Sequence, residues 1–515
     1  MVPEFRNEPL TDFSLPAQRQ AMQEALGTVR GEFHREWPLV IGGERVTTQD
    51  WIASSDPCHK HQRVGRVAKA GRAEAERAFA AAWAAFPVWS RWQAAERARV
   101  LFNAAALLRR HKHRFSATMV YEAGKTWPEA DADTAEAIDF LEFYGREAIR
   151  LAQPQPLSRV AGEDNELVYL PLGVGVVIPP WNFPLAIMAG MASAAVVTGN
   201  AVILKPASLT PVVAARFVEL LEEAGLPPGV VNFLPGGGAD VGDFLVAHPR
   251  TRFVSFTGSR EVGSHIYALA ARVQPGQRWL KRVVAEMGGK DAVIVDETAD
   301  LEAAAEGIVT SAFGFQGQKC SAASRAIVLE PVYRDVLGRV AQRAEALRVG
   351  PAEDPGTQMA AVIDESQYRK VLDYMDVGHK EGRLVVGGEP ASDEGWYVQP
   401  TVFADIPEDG RMAQEEIFGP VLSFVRARDY DDALRVANNT EYGLTGGVYS
   451  RDRRRLERAR AEFHVGNLYF NRKITGALVG AQPFGGFNLS GTDSKAGGHD
   501  YLQLFMQAKV VVERF

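Results

Sequence analysis

Cysteine is nearly absent: the 515 residues contain two, Cys58 and Cys320. Two cysteines in so long a chain make no disulfide framework and point to a reducing compartment, the cytoplasm. Clustered positive charge is missing too. Lys and Arg total 57 against 64 Asp and Glu, a formal net charge of −7, so no nucleic-acid partner is expected. The richest basic stretch, Arg451 to Arg460, includes Asp452 and Glu457 and reads as the solvated face of a helix. No charged segment followed by an apolar one opens the sequence, so no secretory signal is expected. One uncharged run, residues 183–204, has the length to span a bilayer. Thr198, Gly199 and Asn200 interrupt it, so it reads as a buried helix followed by a buried strand, with no membrane partner. Internal repeats, low-complexity tracts and heptads are lacking as well. At 46% hydrophobic and 23% charged residues the chain is that of a globular protein, and at roughly 150 residues per domain it has room for about three domains or lobes.

Several ligand motifs are also missing. No G-x-G-x-x-G occurs, so the usual dinucleotide fingerprint is absent. Gly124-Lys125-Thr126 resembles the end of a P-loop, but the first glycine of that motif is replaced by Met119. Cys58-His59-Lys60-His61 does not supply four correctly spaced metal ligands and reads as a surface turn; no metal site is expected.

Among the features present, LVIGGERV near residue 40 reads as a hairpin with a two-glycine turn. Residues 70–150 carry apolar positions at helical spacing and predict a helical block packed on the next domain. From about residue 165, short apolar strands (GVGVVI, NAVILK, VVNFLPG, RFVSFTG) alternate with helical stretches. A second alternating block runs from about 288 to 470, and AKVVVERF near the end is a further strand. This alternation predicts an α/β fold with doubly wound parallel sheets, which bind ligands at the carboxyl ends of their strands.

Chemistry-bearing residues fall at such strand ends and loops. Cys320, in GFQGQKCSAASR, sits among glycines and small polar residues, as suits a shaped loop; a buried inert thiol is the alternative. A backbone N–H beside its sulfur can stabilise an oxyanion. Glu286, in VVAEMGGKD, ends an apolar strand, where desolvation would raise its pKa toward that of a general base; a strand-end surface carboxylate is the alternative. Pro179-Pro180-Trp181-Asn182-Phe183-Pro184 is a rigid turn whose Asn182 could donate an N–H to an oxyanion or serve only the turn. Lys205, ending AVILK, could reach ribose hydroxyls or a phosphate. Thr257-Gly258-Ser259 opens a helix whose N-terminal N–H groups suit a pyrophosphate.

Taken in order, WNFP, KPAS, FTGSREVG, EMGGK, GQKC, EEIFGP and QPFGG closely resemble the aldehyde dehydrogenase superfamily, over nearly the whole chain from about residue 40. The resemblance implies an aldehyde dehydrogenase-like fold: a Rossmann-type cofactor domain, an α/β catalytic domain and a β-arm for oligomerisation. It implies these boundaries: 1–155, the N-terminal helical part of the cofactor domain; 156–172, part of the arm; 173–286, the dinucleotide-binding domain; 287–475, the catalytic domain; and 476–515, a return to the cofactor domain and arm. It also implies Cys320 as nucleophile, Asn182 and the Cys320 N–H as oxyanion donors, and Glu286 as the base that hydrolyses a thioester. The implied cofactor contacts are Ile178, Pro179, Pro180, Trp181, Lys205, Ser208, Gly238, Gly242, Thr257, Gly258, Ser259, Val262, Glu286, Met287, Gly288, Glu416 and Phe418. The implied cofactor is NAD. Ser208 stands where many NAD-using members carry glutamate, so NADP should be tolerated to some degree.

A narrower resemblance, carried by GFQGQKCSAASR and NRKITGALVGAQPFGGFNLSGT, is to the branch acting on L-glutamate γ-semialdehyde, the 1-pyrroline-5-carboxylate dehydrogenases. It implies that Ser321 and the backbone of Gly476 and Ala477 anchor a substrate α-carboxylate, that Phe183 and Phe484 flank its aliphatic part, and that Glu136 faces the pocket. The function so implied is NAD-dependent oxidation of that aldehyde to L-glutamate, the second step of proline breakdown. The alternative is an NAD(P)-dependent dehydrogenase of another short semialdehyde. Partners are expected to be a small-molecule substrate and copies of the same chain, as a dimer or a trimer of dimers.

Overall fold

A computed structural model describes residues 3–515. Two seven-stranded sheets organise it. In the first, Arg282–Glu286, Phe253–Thr257, Val174–Ile178, Ala201–Leu204 and Val231–Phe233 lie side by side and parallel. The hairpin Leu39–Ile41/Glu44–Val46 adds an antiparallel edge. Its turn residues Gly42 (φ 63°) and Gly43 (φ 85°) are both left-handed, the turn that matches strand twist and that side chains disfavour. Because the first five strands are parallel, Ile178, Leu204, Phe233, Thr257 and Glu286 all end on one edge of the sheet. The second sheet is ordered Arg383–Val386, Thr401–Ala404, Val421–Ala427, Ala323–Leu329, Asp291–Val295, Thr445–Tyr449, Asn467–Phe470, and only the pairing of Arg383–Val386 is antiparallel. The predicted α/β class with parallel sheets is therefore the fold observed.

The uncharged run 183–204 forms the helix Ala186–Val197 and the strand Ala201–Leu204, both buried. Thr198, Gly199 and Asn200 separate them. Gly199 takes φ 95°, and the buried Asn200 side chain bonds Ala195 O, Phe505 O and Gly173 N at 3.1, 2.9 and 2.8 Å. Among the described residues no helix is long and apolar enough to cross a membrane.

The predicted helical block comprises Arg72–Trp89, Ala94–Arg110, Lys112–Ala123 and Trp127–Leu151. Its last three helices share one apolar core with Ala186–Val197 and Pro211–Glu223, while Arg72–Trp89 packs Ala75, Ala78, Phe79 and Ala82 against the first sheet. Trp89 Nε1 and Arg97 Nε donate to Val196 O and Val197 O at 2.9 and 2.7 Å, closing the end of the Ala186–Val197 helix. The strand Glu163–Pro171 pairs with Met506–Arg514 over nine residues, apart from both large sheets. The basic stretch lies in the helix Arg453–Glu462, where Arg455, Arg458 and Arg460 each meet a carboxylate.

One expectation fails. Cys58 is not on a surface turn: it is fully buried, its N–H donates to Asp56 Oδ1 at 2.8 Å, and the flanking Pro57 O accepts Trp396 N at 3.0 Å. The loop around residue 395 covers the turn, a tertiary contact with no local signal. Among the described residues no cluster of His, Cys, Asp or Glu forms a metal site.

Candidate active site

The sequence arrives at the site along three routes. The strand Val174–Ile178 runs into Pro179–Pro184, and the strand Arg282–Glu286 ends at its own carboxylate. The third route is the helix Leu301–Phe313, which unwinds into a tight turn before Cys320. In that turn Phe315 (φ 49°), Gln316 (φ 57°) and Gly317 (φ 67°) are all left-handed. Two consecutive non-glycine residues in that region are strained and must be held by their surroundings. Gln316 Nε2 supplies part of the hold, donating to Gly124 O and Ala361 O at 3.0 and 2.8 Å.

These routes meet at a cavity of about 110 Å³ lined by Glu136, Phe183, Thr257, Glu286, Met287, Cys320, Ser321, Gly476, Ala477 and Phe484, among others. That is well below the roughly 300–1,000 Å³ of pockets for drug-sized ligands and suits a short chain. Every substrate-side candidate named from the sequence lines it, together with Cys320 and Glu286. Asn182 does not line it. Its buried Nδ2 donates to Gln318 O at 3.0 Å, in the Cys320 loop, which leaves its second amide hydrogen free.

Electrostatics set the resting state. Burial pushes the Glu286 carboxyl up to about 8, against hydrogen bonds from Ser494 and the Gly486 N–H. Burial, with Asp133 adding to it, pushes Glu136 to about 8. The Cys320 thiol is raised by burial first and then by Asp291, Glu416 and Glu286.

The cofactor-side candidates gather along the carboxyl edge of the first sheet, at the ends of its parallel strands. Ile178 ends Val174–Ile178, and Pro179, Pro180 and Trp181 continue from it. Trp181 meets Phe418 edge-on, ring centres 5.5 Å apart. Gly238 and Gly242 bound a single π turn, and a Cβ on Gly242 would lie 3.5 Å from Lys205 Cε. Thr257 ends Phe253–Thr257, and Gly258 N donates to Glu286 O at 3.1 Å. Ser259 caps the helix Arg260–Ala271 by accepting Val262 N at 3.3 Å, so that N–H is already occupied. A Cβ on Gly288 would overlap the Glu416 carboxylate, which accepts Gly289 N at 3.2 Å. Ser208 is exposed at the rim.

A nicotinamide dinucleotide fits this donor set. Lys205 is buried, its nearest acceptor is Pro206 O at 3.5 Å, and burial alone lowers its pKa to about 8. An orphaned cation beside a glycine turn wants a hydroxyl- or phosphate-bearing ligand.

Sequence reasoning missed part of the lining. Phe140 follows Glu136 by four residues, and Ile187, Gly190 and Met191 recur at helical spacing after Phe183; periodicity could have found them. Tyr501 and Gln482 enter only through tertiary folding.

A model of the aldehyde dehydrogenase family matches residues 45–511. The 1-pyrroline-5-carboxylate dehydrogenase of Geobacillus kaustophilus (strain HTA426) is 62% identical over 515 residues, covering 100% of both chains. That of Geobacillus thermodenitrificans (strain NG80-2) is 61% identical with the same coverage. The crystal structure of 1-pyrroline-5-carboxylate dehydrogenase from Thermus with bound NAD superposes with a TM-score of 0.99 at 58% identity, covering 100% of each chain. With the family model spanning most of its length and relatives this similar, the chain belongs to the aldehyde dehydrogenase family.

Proposed function

We propose that this chain catalyses the NAD-dependent oxidation of L-glutamate γ-semialdehyde, the open form of 1-pyrroline-5-carboxylate, to L-glutamate. One observation carries the reading. The cavity that holds Cys320 and Glu286 is also walled by Phe183 and Phe484 and closed by Ser321, Gly476 and Ala477. Gly476 turns with φ 74°, a conformation that can present successive N–H groups to an anion. A carboxylate there, with the aldehyde at Cys320, describes a short aldehyde with a carboxylate at its far end. The names of the Geobacillus relatives and the NAD bound to the Thermus relative support the same substrate and cofactor.

In this reading Cys320 Sγ attacks the aldehyde carbon, and its proton passes to solvent as the thiohemiacetal oxyanion forms. Asn182 Nδ2 and the Cys320 N–H hold that oxyanion. NAD, when bound, would supply the hydride acceptor for oxidation at the thiohemiacetal carbon, which leaves Cys320 as a thioester. Lys205, Ser208, the Thr257–Ser259 turn, Glu416 and Phe418 would hold and orient it. Glu286 then takes a proton from water, whose oxygen attacks the thioester and frees the acid and the thiol. Ser208 puts no carboxylate against a 2′-phosphate, so NADP serves as a poorer substitute. The nucleophile must stay reduced and both cysteines are free, which supports a reducing cytoplasm. The apolar ribbon of Glu163–Pro171 and Met506–Arg514 supports assembly into a homo-oligomer, a dimer or a trimer of dimers.

The test is NADH formation with 1-pyrroline-5-carboxylate, succinate semialdehyde, glutarate semialdehyde and propanal, each with NAD and NADP. We expect kcat/KM for the first to exceed that for propanal by at least about a hundredfold, since propanal leaves the carboxylate anchor unpaired, which is costly; the two other semialdehydes, which keep a carboxylate and lack the α-amino group, report on recognition of the rest of the chain. A rate with propanal comparable to that with 1-pyrroline-5-carboxylate would reject the anchor. An NADP efficiency more than about a thousandfold below NAD would reject the role given to Ser208.

A further inference from the structure

The Gly124-Lys125-Thr126 turn is no P-loop, yet its lysine is completely buried. Lys125 Nζ lies 3.0 Å from an Asp133 oxygen. It is also 4.0 Å from the centre of the Phe183 ring and 4.2 Å from that of Phe315. The Asp133 contact lacks hydrogen-bond alignment, so the ammonium is held by charge and by two ring faces. Such ring contacts strengthen when desolvated, and a buried charge without compensation would not persist.

The two rings belong to different loops. Phe183 follows Asn182 directly and lines the cavity. Phe315 opens the left-handed run that leads to Cys320. Neighbouring atoms extend the brace. Gly124 O accepts Gln316 Nε2 at 3.0 Å. Asp133 Oδ1 accepts Ala186 N at 2.6 Å, at the start of the helix that follows the WNFP turn.

We propose that Lys125 is a positioning residue of the active site: its ammonium, clamped between Phe183 and Phe315 and neutralised by Asp133, sets the separation of the Asn182 loop from the Cys320 loop. This rests on the roles given above to Asn182 and Cys320. Oxyanion stabilisation needs the sulfur and the amide N–H to converge on one carbonyl, and a misplacement of about 1 Å can cost about a hundredfold in rate.

Three variants test it. Lys125→Met keeps the stem and removes the charge. Lys125→Met/Asp133→Asn removes both charges and leaves no bare carboxylate in the core, which guards against simple misfolding. Phe315→Leu leaves both charges and removes one jaw of the clamp. For each, kcat and KM are measured with 1-pyrroline-5-carboxylate and with propanal, alongside the NAD dissociation constant and the thermal midpoint. We expect NAD binding within about threefold of the parent, and a kcat lower by at least about thirtyfold in both lysine variants and about tenfold in Phe315→Leu, for both aldehydes. A lowered thermal midpoint with kcat within about threefold of the parent would make Lys125 a core residue only and overturn the inference. A parent that oxidised no aldehyde would overturn the functional reading and this inference together; an active parent with unimpaired variants overturns this inference alone.

Discussion

Glu286 spends both oxygens on the protein in this structure. Ser494 Oγ donates to one, and Gly486 N to the other at 3.1 Å. With burial lifting its carboxyl to about 8, the residue is protonated through much of the neutral range. A general base works only when ionised, so thioester hydrolysis should slow about tenfold per pH unit below about 8 and level off above it. Cys320, itself raised by burial and nearby carboxylates, governs the earlier attack, so the two limbs separate by phase. Stopped-flow measurement of NADH between about pH 6 and 9 should show a burst followed by a steady state whose pH midpoint is that of Glu286. Glu286→Ala should keep the burst and lose the pH-dependent steady state. Ser494→Ala removes the largest influence opposing burial and should move the midpoint upward. A steady state flat in pH, or equal loss of both phases in Glu286→Ala, would reject Glu286 as the hydrolytic base. At this scale the sequence was readable where residues sit in a compact motif, as Cys320 and Glu286 do. Ser494 lies 208 residues from Glu286 and Lys125 closer to a failed motif than to any recognised one, so their roles emerge only from contact.

Helix ends divide along the same line. The helices beginning at Leu301, Glu365, Tyr430 and Arg453 are capped by Asp300, Asp364, Asp429 and Asp452 immediately before them, a local signal. The helix Pro211–Glu223 has no such cap. Its first free N–H groups, Val212 and Val213, donate to the buried Glu122 at 2.7 and 2.8 Å, and Ser54 Oγ adds a third bond at 2.8 Å. Ala186 receives Asp133 in the same manner. The N-terminal helical block thus terminates two helices of the cofactor-side sheet, which explains why no linker separates them in sequence. Glu122→Ala strands two buried N–H groups and a hydroxyl, at a cost of about 3 kcal/mol. We expect a lower urea midpoint with kcat/KM of the folded enzyme unchanged. An unchanged midpoint would mean that water or another group satisfies those donors. The strands themselves were legible because parallel, doubly covered strands read as short apolar runs; the remote caps were not, because a glutamate in the last turn of a helix looks solvent-facing until its neighbour is known.

The whole molecule has one element that its own core does not explain. Among the described residues, Glu163–Pro171 and Met506–Arg514 pair only with each other, and a two-stranded ribbon is marginally stable alone in water. On it Val510, Val511 and Val512 are 60%, 39% and 57% exposed. Consecutive strand residues alternate faces: Val511 shares its face with Lys509, Glu166, Glu513 and Asp164, whereas Val510 and Val512 share theirs with Ala508, Tyr169 and Leu167, an apolar face that a solvated hairpin would not carry. Apolar edges of this kind are otherwise an aggregation hazard, and a second copy of the chain is the economical cover. Val510 stands opposite Leu167 and Val512 opposite Asn165, on one face. Val510→Lys/Val512→Lys should therefore leave each protomer folded but reduce the mass measured by light scattering to that of one chain, with the parent at two or more. Because the arm joins the strand entering the cofactor-side sheet to the segment leaving Tyr501 in the cavity wall, loosening it should also raise KM for 1-pyrroline-5-carboxylate more than for NAD. A parent that is already monomeric, or a variant that keeps the parent's mass, would remove the arm from the assembly and leave its exposed valines without a physical account.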